Sequence, residues 1–310
     1  MTARMDEVQR PVLIYDRIDS NRRKTILLMT AFFLVVAGAA IAISVLAGVP
    51  LGFSPVIIVF VLIFIAFSYF SSDSVALGVS GARQVSENDE QELYRLVENL
   101  CIGSGLPMPK VYVIEDGSMN AFATGRDPKH ASVAVTRGLM NKLERIELEG
   151  VLAHELSHIR NRDTLLMTTV VVLVGTLALL ADLGLRLTWF GAGSRGTYRD
   201  DNSRGAAILL VVAMVFLILS PIIARVISLA VSRQREYLAD ASGALLTRYP
   251  EGLARALEKI RGDTDPLDQA TKATEHLYIV NPLLDHQSKL NGLFATHPPI
   301  EERIRLLRAM

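Results

Sequence analysis

The residues from Thr25 to Ser72 include no charged side chain, and this apolar stretch constrains the fold more than any other feature of the sequence. A turn-like segment between Gly48 and Gly52 divides it into two parts, Ile26–Ala47 and Phe53–Phe70. About 20 apolar residues suffice for a helix to span the hydrocarbon core of a bilayer. A cleaved signal peptide has a shorter apolar core and is not followed at once by a second one. We therefore expect a retained transmembrane hairpin.

Two later apolar runs, Thr164–Ala181 and Gly205–Ala224, predict a second hairpin. The glycine-rich stretch between them carries basic residues, which resist translocation across a membrane. These charges argue against a full second crossing, whereas the length and apolarity of the two runs argue for it. The basic residues are Arg186, Arg195, Arg199 and Arg204, partly offset by Asp182, Asp200 and Asp201.

Basic residues near the first hairpin set its expected orientation. Six of them precede the first apolar segment, whereas the short loop at its far end has no charge. Because basic residues stay on the cytoplasmic side, we expect a multi-pass protein of the inner (plasma) membrane with a cytoplasmic N-terminus. Two hairpins would return both polar blocks to the same side. The six residues are Arg4, Arg10, Arg17, Arg22, Arg23 and Lys24.

The charge balance and the cysteine content exclude two further features. The chain has 32 basic and 32 acidic residues, so it has no general positive field that would attract nucleic acid. Its one cysteine, Cys101, cannot form an internal disulfide. We therefore expect no nucleic acid as a partner. The apolar segments described above predict a lipid bilayer as a partner.

The chain divides into four regions with an α+β fold. Residues 1–72 form the N-terminal tail and first hairpin, 73–163 the first part of a globular domain, 164–231 the second hairpin, and 232–310 the second part of that domain. Short β-branched or alternating runs predict a small antiparallel or mixed sheet, and apolar residues at helical spacing predict helices around it. The last predicted helix of the first part runs directly into the third apolar segment. The predicted strands are Lys110–Ile114, Met119–Thr124 and Ala131–Thr136, and the predicted helices are Glu87–Leu100 and Leu143–Arg162.

The most informative motif, His154-Glu155-Leu156-Ser157-His158, lies on that last helix. At 3.6 residues per turn, His154 and His158 differ by about 40° in azimuth and one turn in height. Two imidazoles at this spacing can bind one metal ion, and Glu155 can then take a proton from a water molecule beside it. Two imidazoles and a carboxylate suit Zn²⁺ best, at one ion per chain.

A catalytic zinc site needs a third protein ligand. Asp163 is expected to point away from the histidines because it continues the same helix. Glu236 and Asp240 lie four residues apart, where the fourth apolar run returns to the catalytic side. Either could bind the metal while the other orients a ligand histidine.

These motifs resemble those of the HtpX membrane zinc metalloproteases, a family related to the membrane proteases that process prenylated proteins. The resemblance covers nearly the whole chain and keeps the order of the family's motifs. It implies a mainly helical, zincin-like protease domain of gluzincin type on the cytoplasmic face, which cleaves membrane or misfolded proteins in quality control. The motifs are the first hairpin, His154–His158 with Ile159–Asp163, Glu236–Asp240 and Phe294-Ala-Thr-His-Pro-Pro299.

The resemblance also implies roles for individual residues. His154, His158 and Glu236 would bind the zinc, Asp240 would orient a ligand histidine, and Glu155 would be the general base. The choice of Glu236 over Asp240 as the third ligand rests on the resemblance.

Two further assignments concern the substrate. The resemblance implies that Asn120, Ala121 and Phe122 belong to an exposed edge strand, which can pair with the backbone of an extended protein substrate. A plain edge strand that ends at Gly125 fits Asn120 equally well. His297 would lie near the site and stabilise the oxyanion, although an ordinary loop histidine before a helix fits its position as well.

The expected reaction is peptide hydrolysis by an activated water, without a covalent intermediate. An intramembrane protease is an alternative, but charged residues surround the motif. A non-enzymatic membrane scaffold is a second alternative, and it predicts no bound zinc and no effect of changing Glu155. The charged residues are Glu144, Glu147, Glu149, Arg160 and Arg162.

Overall fold

A computed structural model of the chain describes residues 50–169, 233–263 and 298–310, the positions 265, 267 and 277–280, and some helical positions between 23 and 41. The described strands are β1 (Arg83–Gln84), β2 (Lys110–Ile114), β3 (Ala121–Gly125) and β4 (Ala131–Thr136). The described helices with defined bounds are α1 (Ser54–Phe70), α2 (Ser72–Val79), α3 (Gln91–Ser104), α4 (Arg137–Lys142), α5 (Arg145–Arg160), α6 (Arg233–Thr247), α7 (Pro250–Arg261) and α8 (Ile300–Leu307).

The four strands form a mixed sheet in the order β1-β2-β4-β3. β2 and β4 are parallel, and the β1–β2 and β4–β3 pairs are antiparallel. β4 lies inside the sheet and is buried at every residue, whereas β3 forms one edge. The predicted small mixed sheet is therefore confirmed, and the strand predicted from Met119 begins two residues later, at Ala121.

A tight connection joins β3 to β4 and requires glycine at one position. Gly125 has a φ of 128°, and a Cβ atom there would collide with the carbonyl oxygen of His130. The Asp127 carboxylate accepts hydrogen bonds from the backbone N–H groups of Lys129 and His130, at 2.8 and 3.0 Å. This connection fixes the register of the edge strand.

α3 begins later than its sequence predicts. The backbone N–H and the hydroxyl of Ser86 both donate to Asp89 Oδ2, at 2.8 and 2.7 Å. These bonds close a turn before the helix, because serine and aspartate side chains compete well for backbone groups outside helices. The helix therefore starts at Gln91 instead of Glu87.

α5 is the central helix of the domain. A capping box between Glu144 and Glu147 begins it, each side chain bonding the other's backbone N–H. α5 packs against α6, α7, α3 and β3, so most of its side chains are buried. Gly150 permits the close approach of α7, because a Cβ atom there would lie 2.7 Å from the backbone nitrogen of Leu253. The helix is thus held rigidly from several sides.

The prediction of one helix that continues from Leu143 into the third apolar segment is wrong. α5 ends at Arg160, Asn161 and Arg162 form a turn, and residues 163–169 start a new helical segment. Arg162 has a φ of 56°, which is uncommon for a residue other than glycine. The turn changes the direction of the chain immediately after the two histidines.

α1 covers nearly all of the second predicted membrane segment. Large apolar side chains on this helix are exposed, among them Phe60 at 69% and Phe67 at 68%. Within the described part of the chain, no helix combines the length and the apolarity needed to cross a bilayer. The two hairpins stay predictions, and residues 170–231 of the second lie outside the described residues.

Candidate metal centre

The two histidines of the central helix point at each other. The Nε2 atoms of His154 and His158 lie 3.2 Å apart, and their ring planes are nearly perpendicular, at 86°. Both side chains are buried, because α6 and the edge strand cover this face of α5. The spacing of four residues thus produces the convergence that the sequence predicts.

Glu236 on α6 approaches the same point. Its Oε1 lies 3.6 Å from His158 Nε2, and its Oε2 lies 3.8 Å from His154 Nε2. One ligand atom from each of the three residues lies within 4.8 Å of the others. Gly243 brings α6 this close, since a Cβ atom there would lie 3.0 Å from the backbone nitrogen of His154.

The donor chemistry fits a metal cation. The other ring nitrogen of each histidine lies beside a carboxylate, His154 Nδ1 at 2.9 Å from Asp240 Oδ1 and His158 Nδ1 at 3.1 Å from Asp163 Oδ2. These carboxylates favour the tautomers that carry a proton on Nδ1, an inference from the hydrogen-bond network. Both Nε2 lone pairs then face the Glu236 carboxylate, an arrangement that a cation stabilises.

The two imidazoles differ in their affinity for protons. Burial lowers the pKa of His154, against the opposing hydrogen bond with Asp240. Burial also disfavours the charged form of His158, but the hydrogen bond with Asp163 and the charge of Glu236 prevail and raise its pKa to about 9. Without a metal, a proton on His158 can therefore occupy the space between the Nε2 atoms.

The position of Asp163 corrects the sequence analysis. The turn at Asn161 and Arg162 brings Asp163 back to His158, so it does not point away from the histidines. Asp163 and Asp240 therefore have matching places, each beside the outer nitrogen of one histidine. The local signal of this turn is Asn161, since asparagine is common just after the last residue of a helix; the segment contains neither glycine nor proline.

Arg303 on α8 is a residue of the site that the sequence analysis missed. Its guanidinium group donates to both oxygens of Asp240, at 2.8 and 2.7 Å, and Nη1 lies 3.6 Å from Glu236 Oε2. Arg303 is only 1% exposed, and the two carboxylates compensate its buried charge. It follows Ile300 by three residues and precedes Leu307 by four. The sequence pattern that could have identified Arg303 is a basic residue on the apolar face of α8.

Glu155 lies beside the three candidate ligands and is buried. Burial raises the pKa of Glu155 to about 8, and the charge of Glu236 acts in the same direction, against the effect of His158. The backbone N–H of Ala123 on β3 acts on the Glu155 carboxylate and favours its charged form, so it opposes the rise in the pKa of Glu155. A carboxylate in this environment can exchange a proton near neutral pH.

The predicted substrate-binding residues lie on or next to the edge strand, but this edge is not exposed. Asn120 Nδ2 donates to the carbonyl of Val280 at 3.1 Å, and the Ala121 carbonyl accepts from Ile279 N–H at 3.1 Å. The Phe122 side chain is buried in a separate apolar cluster. The strand's place at the sheet edge agrees with the prediction, whereas its expected exposure is wrong. His297 lies outside the described residues, and its role stays a prediction.

This arrangement, two histidines and a glutamate on one helix with a third ligand, a carboxylate, from another helix, is the one found in metallopeptidases. The chain belongs to peptidase family M48, whose sequence model matches residues 87–310. It is a metallopeptidase.

The relatives agree with the resemblance seen in the motifs. A protease HtpX homolog from Thermoanaerobacter pseudethanolicus is 44% identical over 299 residues, covering 96% of this chain and 98% of the relative. A protease HtpX homolog from Listeria monocytogenes serotype 4b is 45% identical over 310 residues, covering 96% of this chain and all of the relative, 100%. Among solved structures, the crystal structure of S. mikatae Ste24p matches with a TM-score of 0.47 and 17% identity, over 80% of this chain and 57% of that one. The HtpX-type identification made from the motifs is confirmed.

Proposed function

We propose that the chain is a membrane-anchored zinc endopeptidase that cleaves membrane or misfolded proteins in quality control. The observation that carries this proposal is the convergence of His154 Nε2, His158 Nε2 and the Glu236 carboxylate beside a buried Glu155. Two imidazoles and one carboxylate are an established ligand set of catalytic zinc, with a fourth position open for substrate or water.

His154, His158 and Glu236 would hold the ion, and Asp240 and Asp163 orient the two imidazoles. When bound, Zn²⁺ polarises the scissile carbonyl and acidifies water. Glu155 accepts the proton of the attacking water and delivers it to the leaving amine. The raised pKa of Glu155 supports this role, because a base that also returns the proton works best with a pKa near the operating pH.

Pairing of substrates with the edge strand β3 would give a broad substrate range, although Ile279 and Val280 cover that edge in the described structure. Pairing through backbone groups gives affinity with little demand on the substrate sequence. A peptidase that binds substrate in this way suits unfolded segments of many proteins.

The variant Glu155→Gln tests the catalytic role. It removes the base and retains all three proposed ligands, so zinc content should stay at one per chain while cleavage of casein falls by about 10²- to 10⁴-fold. His154→Ala is the matched control and should lose both zinc and cleavage. Equal casein cleavage by the wild type and Glu155→Gln would contradict the role of Glu155, and a wild type without bound zinc would favour the non-enzymatic scaffold.

We further propose that the N-terminus and the peptidase domain are cytoplasmic, as the six basic residues before the first apolar segment indicate. In a chain with Cys101 replaced by alanine, a cysteine at Ser54 should react with a membrane-impermeant reagent from outside the cell. A cysteine at Ser86 should react only after the membrane is permeabilised. The reverse pattern would refute this orientation.

A further inference from the structure

A short segment of the chain itself covers the edge strand next to the candidate metal centre. Tyr278 forms an antiparallel bridge with Phe122, and Ile279 N–H donates to the Ala121 carbonyl at 3.1 Å. The Tyr278 and Phe122 rings meet edge to face, with centroids 5.0 Å apart. Tyr278 and Ile279 are both buried. We name residues 277–280 the internal strand.

The internal strand lies on the side of β3 that faces Glu155. The Asn120 carbonyl accepts from Thr136 N–H of β4, so the backbone groups of alternate residues, Ala121 and Ala123, point to the opposite side. Ala121 bonds the internal strand there, and the backbone N–H of Ala123, on the same side, acts on the nearby Glu155 carboxylate. An extended substrate that pairs with β3 beside the base would need the same side of the same strand.

Two side chains of the site hold the backbone of the internal strand. Arg303 Nη1 donates to the Ile279 carbonyl at 3.0 Å, and Asn120 Nδ2 donates to the Val280 carbonyl at 3.1 Å. The same Arg303 Nη1 lies 3.6 Å from Glu236 Oε2, so the Ile279 carbonyl is close to the proposed metal ligands. These contacts all involve main-chain groups of the internal strand, which any peptide could supply.

We propose that the internal strand occupies the main-chain position of the substrate along β3, and that a substrate binds only after this strand has been displaced. Asn120 and Arg303 then donate to carbonyl groups of the substrate in place of those of Val280 and Ile279. This inference rests on the proposed peptidase function. The described arrangement is then autoinhibited. The apparent affinity for substrate equals the intrinsic affinity multiplied by the fraction of molecules in which the internal strand is displaced.

The hydrogen bond between Tyr278 and Ser80 gives a gentle test, because it anchors the internal strand without touching the metal centre. The Tyr278 hydroxyl lies 3.0 Å from Ser80 Oγ, and removing one hydrogen bond shifts an equilibrium by about 2- to 13-fold. Tyr278→Phe and Ser80→Ala should each raise kcat/KM for an unfolded peptide by such a factor, mainly through a lower KM. Zinc content should not change, and the double variant should match the single variants.

Tyr112→Phe is the matched control for this pair. It removes a hydroxyl that contacts Gln84 at 3.4 Å on the far strands of the sheet, so cleavage should stay at the wild-type value. No increase in kcat/KM for either Tyr278→Phe or Ser80→Ala would overturn the proposal.

A reversible lock gives the second test. Phe122 and Tyr278 are opposite each other in an antiparallel bridge, a geometry that brings Cβ atoms within the range of a disulfide. In a chain with Cys101 replaced by alanine, Phe122→Cys with Tyr278→Cys should cleave casein only after reduction by a phosphine. With Glu155→Gln added, binding of a fluorescent unfolded peptide, followed by anisotropy, should also appear only after reduction.

The outcomes separate the two proposals. If the wild type, Tyr278→Phe and Ser80→Ala all bind zinc and none of them cleaves casein, the peptidase function is contradicted. If the wild type is active and the oxidised and reduced forms of the locked chain cleave equally, only the autoinhibition is contradicted. If the locked chain is inactive in both forms, the kcat/KM values of Tyr278→Phe and Ser80→Ala decide between the outcomes. An increase supports the autoinhibition, and no increase contradicts it.

Discussion

His154 and His158 lie one turn apart on the same helix, but the chain orients them in different ways. Asp240, the partner of His154, comes from α6 and receives two hydrogen bonds from Arg303 of α8, at 2.7 and 2.8 Å. Asp163, the partner of His158, follows it by only five residues, and Arg235 Nη1 lies 3.8 Å from it. One imidazole therefore depends on the assembly of distant helices, and the other depends on a local turn.

The difference has an electrostatic side as well. Burial would raise the pKa of Asp240, but the charge and hydrogen bonds of Arg303 prevail and lower it. Asp240 is thus held as a carboxylate, and His154 stays neutral beside it. His158 has the raised pKa and carries the exchangeable proton. The two proposed metal ligands should therefore respond differently to mutation and to pH.

The largest effect is expected from Arg303→Met. Removing the guanidinium leaves Asp240 and Glu236 buried without its compensating charge, and breaking such a buried pair costs about 3–5 kcal/mol of the free energy of unfolding. Denaturant unfolding of the metal-free chain measures this loss. Arg235→Met, on the side of His158, should cost less, because its 3.8 Å contact with Asp163 is longer than a hydrogen bond.

Arg305→Met is the control for Arg303→Met. Arg305 lies on the same helix and pairs with Glu302 on the surface, where ion pairs contribute little. Its unfolding midpoint should match that of the wild type. Equal losses for Arg303→Met and Arg235→Met would remove the distinction between the two sides.

A smaller effect is expected when each carboxylate partner becomes an amide. Loss of such a partner weakens metal binding by about 10- to 100-fold, and Asp240→Asn should fall at the upper end because it also leaves the Arg303 charge less compensated. Asp163→Asn should fall at the lower end. Competitive titration with a zinc chelator measures both.

Glu236→Gln is the reference for these titrations, since an amide oxygen is a poorer zinc donor than a carboxylate. It should weaken zinc binding more than either aspartate variant. A greater loss for Asp240→Asn than for Glu236→Gln would exchange their roles, and no loss for either would place the third ligand elsewhere.

The smallest effect is a pH dependence. The pKa of His158 is raised to about 9 in the metal-free chain, so its proton stabilises the fold below its unfolded pKa of about 6.5, and this contribution is lost as the pH rises through 9. Zinc replaces this proton. The gap in Tm between zinc-loaded and chelator-treated protein should therefore widen from pH 6.5 to 9.

The same two aspartate variants assign this dependence to one side of the site. Asp163→Asn removes the hydrogen bond that raises the pKa of His158, so the widening of the Tm gap should shrink. Asp240→Asn should retain it. If Asp240→Asn, and not Asp163→Asn, reduced the widening of the Tm gap, the exchangeable proton would be assigned to His154 instead of His158.

Sequence alone predicted the parts of the site that local periodicity determines. His154, Glu155 and His158 follow from the geometry of one helix, and the three predicted strands were placed within two residues because their alternation and boundaries are local, whereas the two-residue strand β1 was not predicted. Glu236 required the family resemblance, because 78 positions separate it from His158 and no local rule spans them. The structure brings its carboxylate to the two histidines.

The rest depended on features that no short pattern contains. The prediction for Asp163 is wrong because it rests on a continuous helix; Asn161 is a weak signal of the turn, and the positive φ of Arg162 is not visible in composition. Arg303 was missed because its partner Asp240 lies 63 positions earlier in the chain. The covered edge of β3 likewise results from contact with residues that are distant in sequence.

The turn at Asn161 and Arg162 also has a mechanical consequence. Asp163 Oδ2 lies beside His158 Nδ1, and Asp163 is also the first residue of the helical segment 163–169, which contains the start of the third apolar run. Only two residues, Asn161 and Arg162, connect α5 to this segment, so the connection has little freedom to move. Any displacement of the segment 163–169 would therefore move Asp163 and turn the His158 ring with it, so the position of this segment sets the orientation of one imidazole.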